Sequence, residues 1–287
     1  MTKRSHHDMG GEPAGEVKQA EHDYAEWERR IDAMNVLLWG IKDGRRLMTV
    51  DEHRKNIEAL PAQDYDTLSY YEKWVASTAA TLVEKGVVGR EELGEYKPLQ
   101  MMESRLREVL IGQGILTQQA IDAEVENMRG RTPERGARVV AKAWTDAPFR
   151  KKLLADGRAA CESIGLEIPS LRLIVVENTP EVHNVIVCTL CSCYPRMLLG
   201  IPPDWYKSRA YRSRMVKEPR KVLAEFGLSL QDDILVKVHD STADMRYLVL
   251  PMRPAGTEGW NEARLAGIVT RNCMIGVDVP EVSKAPL

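Results

Sequence analysis

The stretch VIVCTLCSCYPR, Val185–Arg196, places three of the chain's five cysteines within six positions. Cys188, Cys191 and Cys193 are separated only by Thr189-Leu190 and by Ser192. A buried cysteine is an ordinary small apolar residue, but core packing does not ask for three in so short a run. Two metal arrangements answer to the spacing. In the first, Cys188 and Cys191 supply the two-residue bite usual for zinc, and a tetrahedron is completed by Cys193 with His183, Cys161 or Cys273. In the second, the deprotonated peptide nitrogens of Ser192 and Cys193 join the Cys191 and Cys193 sulfurs in a plane of fused chelate rings. Cys188 caps that plane from one side, and the opposite position stays open. Such a strong-field set suits low-spin trivalent cobalt or iron rather than zinc. An open position on a Lewis acid is a catalytic feature.

Outward from the cluster, the bulk properties narrow the field. The chain has 287 residues, room for one large or two modest domains with a sizeable core. Its 40 basic and 42 acidic residues leave a formal charge of −2, without the basic excess of a nucleic-acid binder. No apolar run approaches the ~18 residues of a membrane span. The opening MTKRSHHDMGGEPAGEVKQAEHDY has no apolar h-region of a secretory signal. It reads as a polar, disordered lead-in over residues 1–22, with His6-His7 as solvated tail. A cytoplasmic location is expected, where an odd cysteine count speaks against a disulfide framework and for metal or redox chemistry.

The first ordered block, residues 23–95, is helical. Apolar residues recur at helical spacing in YAEWERRIDAMNVLLWGIKDGRRL, and Thr49 with Glu52 forms a capping box ahead of another helix. DTLSYYEKWVASTAATLVEKGVV reads as a longer amphipathic helix closing at Gly86. The block would struggle to bury its apolar faces alone. A linker is expected over residues 96–104, with further helices after it. LVEKGVVGREEL and VLIGQGILTQQAI share a helix–Gly–turn–helix cadence too short to count as a repeat. From Leu171 the texture changes: LRLIVVEN, NVIVCTL, DILVKVHD and RYLVLPMRP are short β-branched runs bounded by Pro, Asn and Asp, the pattern of strands. SRMVKEPRKVLAEFGLSL between them reads as one helix ending at Gly227. The cysteines therefore fall at a strand end, before a Pro-rich turn, where sites tend to be built.

VCTLCSC resembles the metal-binding loop of the nitrile hydratase α subunit and of the related thiocyanate hydrolase γ subunit. The similarity extends through GARVVAKAWTDAPFR, VVENTPEVHNVIVCTLCSCYP, WYKSRAYRSRMVKEPRKVLAEFG and RPAGTEGW, roughly Arg105 to Val277. The resemblance implies a non-corrin cobalt(III) or non-haem iron(III) site held by Cys188, Cys191, Ser192 and Cys193. In it Cys191 is oxidised to the sulfinate and Cys193 to the sulfenate, while Cys188 remains a thiolate. Thr189 matches the cobalt-type loop where iron-type loops carry Ser, so cobalt is expected.

The segment DEHRKNIEALPAQDYDTLSYYEKWVASTAATLVEKGVVGREEL resembles the helical N-terminal half of the family's β subunit. The implied architecture is α+β: a β-like helical segment over residues 23–95, then an α-like metal-binding domain over residues 105–287, with helices packed on a small mixed sheet. Arg54 corresponds to a β-subunit arginine that hydrogen-bonds the oxidised cysteine oxygens. Tyr70 corresponds to a pocket tyrosine. A guanidinium fork suits an anionic sulfur–oxygen cluster, although without the resemblance Arg54 reads as an exposed helix arginine. The family's second cluster-binding arginine lies in a small C-terminal barrel of β that this chain does not carry. The implied partners are a separate small barrel-like subunit in a hetero-oligomer and a metal-loading activator protein.

The implied reaction is hydration of a small nitrile to its amide, with Cys193 sulfenate as nucleophile or general base, Arg54 holding its oxygen, and Tyr70 assisting orientation or proton movement. Arg196 points to an alternative. Most nitrile hydratases carry Trp there and thiocyanate hydrolase carries Arg, so a cation beside the open position favours thiocyanate, going on to carbonyl sulfide and ammonia. A non-catalytic cobalt-binding or maturation protein is the reading from another class.

Overall fold

The computed structural model describes residues 6–40, 46–94, 98–168, 172–190, 192–242 and 244–284. The chain forms two compact units, one of Met1–His7 with His22–Gly130, the other of Asp8–Glu21 with Arg131–Leu287. Among the described residues no helix is long and apolar enough to cross a membrane.

The first unit is helical: α1 (Glu26–Leu38), α2 (Val50–Glu58), α3 (Ala62–Thr67), α4 (Tyr70–Glu84), α5 (Arg90–Leu93), α6 (Leu99–Gly112) and α7 (Gln118–Arg129). Its punctuation follows the sequence closely. The Thr49 hydroxyl accepts from the Glu52 N–H at 3.1 Å while the Glu52 carboxylate accepts from the Thr49 N–H at 2.7 Å, the reciprocal cap expected. Gly86 and Gly114 have φ of 64° and 67°. Each is followed by the same closure, Val87 N–H to Leu82 O and Ile115 N–H to Leu110 O, both 2.9 Å. The cadence seen in the sequence is thus a repeated helix ending with a left-handed glycine.

Where the sequence reading placed a linker over residues 96–104, the chain is already in α6 from Leu99. The cause is apolar: Leu99, Met102, Leu106 and Leu110 of α6, with Ile121, Val125 and Met128 of α7, share a core with Ile31, Met34 and Leu38 of α1 and Val75, Ala79 and Leu82 of α4. The front helices, which would struggle to close a core alone, close it with these two. Buried carboxylates inside are matched. Glu103 is fully buried and accepts from Arg30 and Arg107, each at 3.2 Å, and Asp32 accepts from the Tyr71 hydroxyl at 2.8 Å. Stripping Glu103 of both arginines would leave a buried charge uncompensated, at a cost of about 3–5 kcal/mol.

The second unit starts with α8 (Pro133–Thr145), α9 (Ala147–Ala155) and α10 (Gly157–Glu162), then β1 (Arg172–Glu177) and β2 (Val182–Val187). After the cysteine loop come α11 (Arg196–Leu199), α12 (Asp204–Lys207), α13 (Arg209–Arg214) and α14 (Pro219–Glu225). The unit ends with β3 (Leu235–Asp240), β4 (Met245–Leu250), α15 (Glu262–Ala266) and α16 (Arg271–Ile275). All four expected strands are present, and the fold is α+β. The pairing is parallel, β1 with β4 and β2 with β3, rather than mixed. Parallel neighbours need a long crossover, and α11–α14 supply it between β2 and β3. The single helix read from SRMVKEPRKVLAEFG is two, because Pro219 has no N–H to continue α13 and instead occupies the first turn of α14.

Residues 8–21, expected to be a disordered lead-in, pack on this second unit without helix or strand. Met9 and Val17 are each 6% exposed, and Val17 joins the core of Val139, Leu153 and Leu223. The segment is polar on average, so composition hides its two apolar anchors.

Candidate metal-binding loop

β2 is buried on both faces: Val185, Ile186 and Val187 are all fully covered. It delivers the chain into the cysteine loop, in parallel register with β3 so that Val187 stands opposite Asp240. The loop therefore opens at the carboxyl ends of two paired strands, a common place for ligand sites. Cys188 is 0% exposed and Cys193 6%, while Ser192 is half-buried. Cys191, the expected sulfinate, lies outside the described residues.

The loop's main chain is held at closely spaced points. The Asp240 carboxylate accepts from the Thr189 N–H at 3.0 Å and from its hydroxyl at 2.6 Å. The buried Arg212 guanidinium donates to Cys188 O at 3.1 Å and to Thr189 O at 3.0 Å. The Tyr206 hydroxyl donates to Cys193 O at 2.8 Å, and the Tyr211 hydroxyl to Ile186 O at 2.6 Å. The Ser241 N–H takes Val187 O at 2.8 Å. Burial, then the neighbouring Cys188, Tyr211, Cys193 and Tyr194, keep the Tyr206 phenol well above its ordinary pKa, so it remains a protonated donor. Both described cysteines of the loop, Cys188 and Cys193, thus border one buried phenol.

Sequence reading identified the loop but not Asp240, Arg212 or Tyr206. Asp240 lies 51 residues from Thr189, and Arg212 lies 24 from Cys188. The signal available was the strand pairing itself: once NVIV and LVKVHD are placed side by side, the terminal Asp faces the loop.

The zinc alternatives have other commitments. Both ring nitrogens of His183 are occupied, Nε2 by Gly276 O at 2.7 Å and Nδ1 by the Asn178 amide at 3.3 Å. Burial pushes the Cys161 thiol up to about 12, which makes it an inert core residue. Cys273 Sγ lies 3.1 Å from the Thr270 hydroxyl at the start of α16.

Arg196 opens α11 and is half-buried. The remaining candidates sit in the helical unit. Arg54 is half-buried on α2, with Nη2 3.7 Å from Glu58 Oε1 one turn on. Tyr70 begins α4 and packs its ring against Tyr71 and Trp74 at centroid distances of 5.1 and 5.3 Å. His53, next to Arg54, was not singled out from sequence. It is buried between the rings of Trp39 and Trp74, at 5.7 and 5.1 Å.

The family model for the nitrile hydratase alpha chain matches residues 97–278, and that for the nitrile hydratase beta subunit N-terminal region matches residues 3–107. The cobalt-containing nitrile hydratase subunit alpha of Pseudonocardia thermophila is 54% identical over 178 residues, 60% of this chain and 86% of that protein. The thiocyanate hydrolase subunit gamma of Thiobacillus thioparus is 41% identical over 199 residues, 65% of this chain and 82% of that one. Among solved structures, a double mutant of the Fe-type nitrile hydratase from Comamonas testosteroni Ni1 superposes with a TM-score of 0.63 at 43% identity, covering 67% of this chain and 95% of that one. The chain is a member of the nitrile hydratase family of enzymes, with the alpha-chain region preceded in the same polypeptide by a beta-type N-terminal region.

Proposed function

We propose that this chain is the metal-bearing subunit of a cytoplasmic cobalt nitrile hydratase, converting a small nitrile to its amide. The braced loop carries the reading: two buried cysteines on a main chain pinned by Asp240, Arg212 and Tyr206. Soft sulfur donors in a dry, fixed setting suit cobalt or iron. The neighbours that would complete a zinc tetrahedron are otherwise engaged. Similarity to three cobalt-containing alpha subunits, at 54%, 48% and 44% identity, supports cobalt.

Cys188, Cys191, Ser192 and Cys193 would hold the ion, with Cys191 as sulfinate and Cys193 as sulfenate. Bound there, cobalt(III) would supply Lewis acidity toward the nitrile. The Cys193 oxygen serves as nucleophile or base. Arg54 carries the cation assigned to the oxidised sulfur oxygens, and Tyr70 a hydroxyl for orientation or proton movement. Arg212 and Asp240 keep the loop from relaxing when the cluster's charge changes. The two-module division, with boundaries near residues 95 and 105, is part of this reading, as are a separate barrel-like subunit and a metal-loading activator.

Arg196 supports thiocyanate as the second reading, since a half-buried cation at the start of α11 suits an anionic substrate. One experiment separates the readings. The chain is co-produced with its barrel-like partner in cobalt-supplemented cells, analysed for metal and for oxidised cysteine masses, and given nitriles and thiocyanate in parallel. Amide without ammonia, on a cobalt protein with oxidised Cys191 and Cys193, is the expected result. Ammonia and carbonyl sulfide from thiocyanate would transfer the assignment to the second reading. Cobalt without turnover of either would make the chain a carrier.

A further inference from the structure

We propose that residues Asp8–Glu21 form a strap that sets the position of the cysteine loop through three consecutive residues of one helix, Arg212, Ser213 and Arg214. Arg212 faces the loop and holds the Cys188 and Thr189 carbonyls at 3.1 and 3.0 Å. The next two residues hold the strap. Ser213 O accepts from the Gly11 N–H at 2.7 Å, and Arg214 donates to Gly15 O at 2.9 Å.

The strap is fastened further by Glu225 of α14. Its carboxylate accepts from the Val17 N–H at 2.9 Å and its carbonyl from the Gln19 amide at 2.7 Å. The same carboxylate grips Arg214 at 2.6 Å, so one acidic side chain ties the strap to the helix that ties the loop. Arg214 is also held by Glu218 at 2.5 Å. Burial pushes the Glu225 carboxyl upward, but Arg214 and the Val17 N–H more than offset it and leave its pKa below the usual carboxylate value. Val17 and Met9, each 6% exposed, anchor the strap by burial. Glu21 pairs with Arg271 at its far end.

This stretch lies within the beta-type match, residues 3–107, yet its contacts are with the alpha-type unit. A single polypeptide therefore presents the strap to α13 as a tethered segment, at high effective concentration. A loop that must keep several donors in one geometry gains from every point that restricts its carrier helix. The strap rests on the metal-loop reading for its purpose, but not for its test.

The test is alkylation of the metal-free, reduced full-length chain with N-ethylmaleimide, with each cysteine followed by peptide mass. Cys161 lies fully buried in the core of the same unit and reports global opening. In the unmodified chain Cys188, Cys193 and Cys161 should all react slowly. Met9→Ser with Val17→Ser should speed Cys188 and Cys193 about tenfold or more while Cys161 stays slow, and a synthetic peptide of residues 6–22 should restore the protection. Glu225→Gln, which leaves the apolar core intact, should give the same selective rise. If neither variant speeds Cys188 and Cys193 beyond Cys161, the strap does not position the loop. Cobalt content measured on the same proteins as purified from cobalt-supplemented cells, before the metal is removed, tests the metal reading separately.

Discussion

Asp240 and Thr189 are joined twice, through the Thr189 N–H at 3.0 Å and its hydroxyl at 2.6 Å. The residue following Cys188 is thereby fixed in both main chain and side chain by the last residue of the neighbouring strand. An asparagine at 240 can accept only one of these bonds while turning an amide donor on the other. On the cobalt reading proposed above, Asp240→Asn should lower cobalt occupancy or turnover about 10- to 100-fold, the usual cost of losing a residue that supports a metal-ligating loop. Thr189→Val should give a smaller loss, and the double variant should cost less than the two combined, since both remove one interaction. Cobalt content of the purified proteins from cobalt-supplemented cells measures the losses, and a strictly additive pair would show that the contact is incidental.

Arg212 holds two adjacent carbonyls with one planar fork. Lysine keeps the charge but presents a single ammonium, so it cannot reproduce both bonds. Arg212→Met leaves Cys188 O and Thr189 O buried without their donor, an expense of about 1–3 kcal/mol for each unsatisfied group. Urea unfolding should show Met less stable than Lys and both less stable than the parent. Equal midpoints for all three would remove Arg212 from the loop's support.

Local chemistry was legible; long-range packing was not. The four strands announce themselves as β-branched runs, and the Thr49 cap needs only residues three apart. The end of the helical unit depends instead on Leu106, Leu110 and Ile121 meeting Met34 and Leu82, a decision made by the three-dimensional core. The lead-in is misread for the same reason: Met9 and Val17 are isolated apolar residues whose burial no local pattern reveals. Three cysteines in six positions could be read without a fold, whereas Asp240, Arg212 and Tyr206 become visible only once β2 and β3 are paired and the crossover returns.

Gly276 tests how tightly the strand before the loop is packed. Its φ is 93°, and an added Cβ would stand 2.1 Å from Asn184 O and 2.8 Å from Val185 Cα, both backbone atoms of β2 that cannot swing aside. Its own carbonyl accepts from His183 Nε2. Gly276→Ala should therefore destabilise by about 4 kcal/mol or more, in the range reserved for core overpacking and strain. Gly256→Ala is the control: φ is also positive, 79°, but nothing lies within 4 Å of the new methyl, so about 1–2 kcal/mol is expected. Thermal unfolding of the two variants separates backbone preference from collision.

His53 makes the helical unit acid-sensitive. The Ser77 hydroxyl donates to His53 O at 2.5 Å and the Thr78 hydroxyl to Asn35 Oδ1 at 2.7 Å, so Nδ1 must carry the proton it shares with those oxygens at 3.2 and 3.4 Å. Nε2 is left a neutral lone pair, buried with no hydrogen-bond partner among the described residues. Burial pushes the pKa from 6.5 down to about 3. Between these values the unfolded chain binds a proton that the native ring refuses, so stability is full above 6.5 and falls as pH drops toward 3. The slope is about 1.4 kcal/mol per pH unit for one such group. His183 and His239 are lowered as well, by burial foremost, and add to the parent's slope. His53→Phe fits the same aromatic setting and removes one proton from the linkage. Relative to the parent, its unfolding free energy should gain about 2–3 kcal/mol between pH 7 and pH 4.5, whatever the offset between the two proteins above pH 7. Parallel pH profiles for the two proteins would mean that His53 takes up its proton while folded.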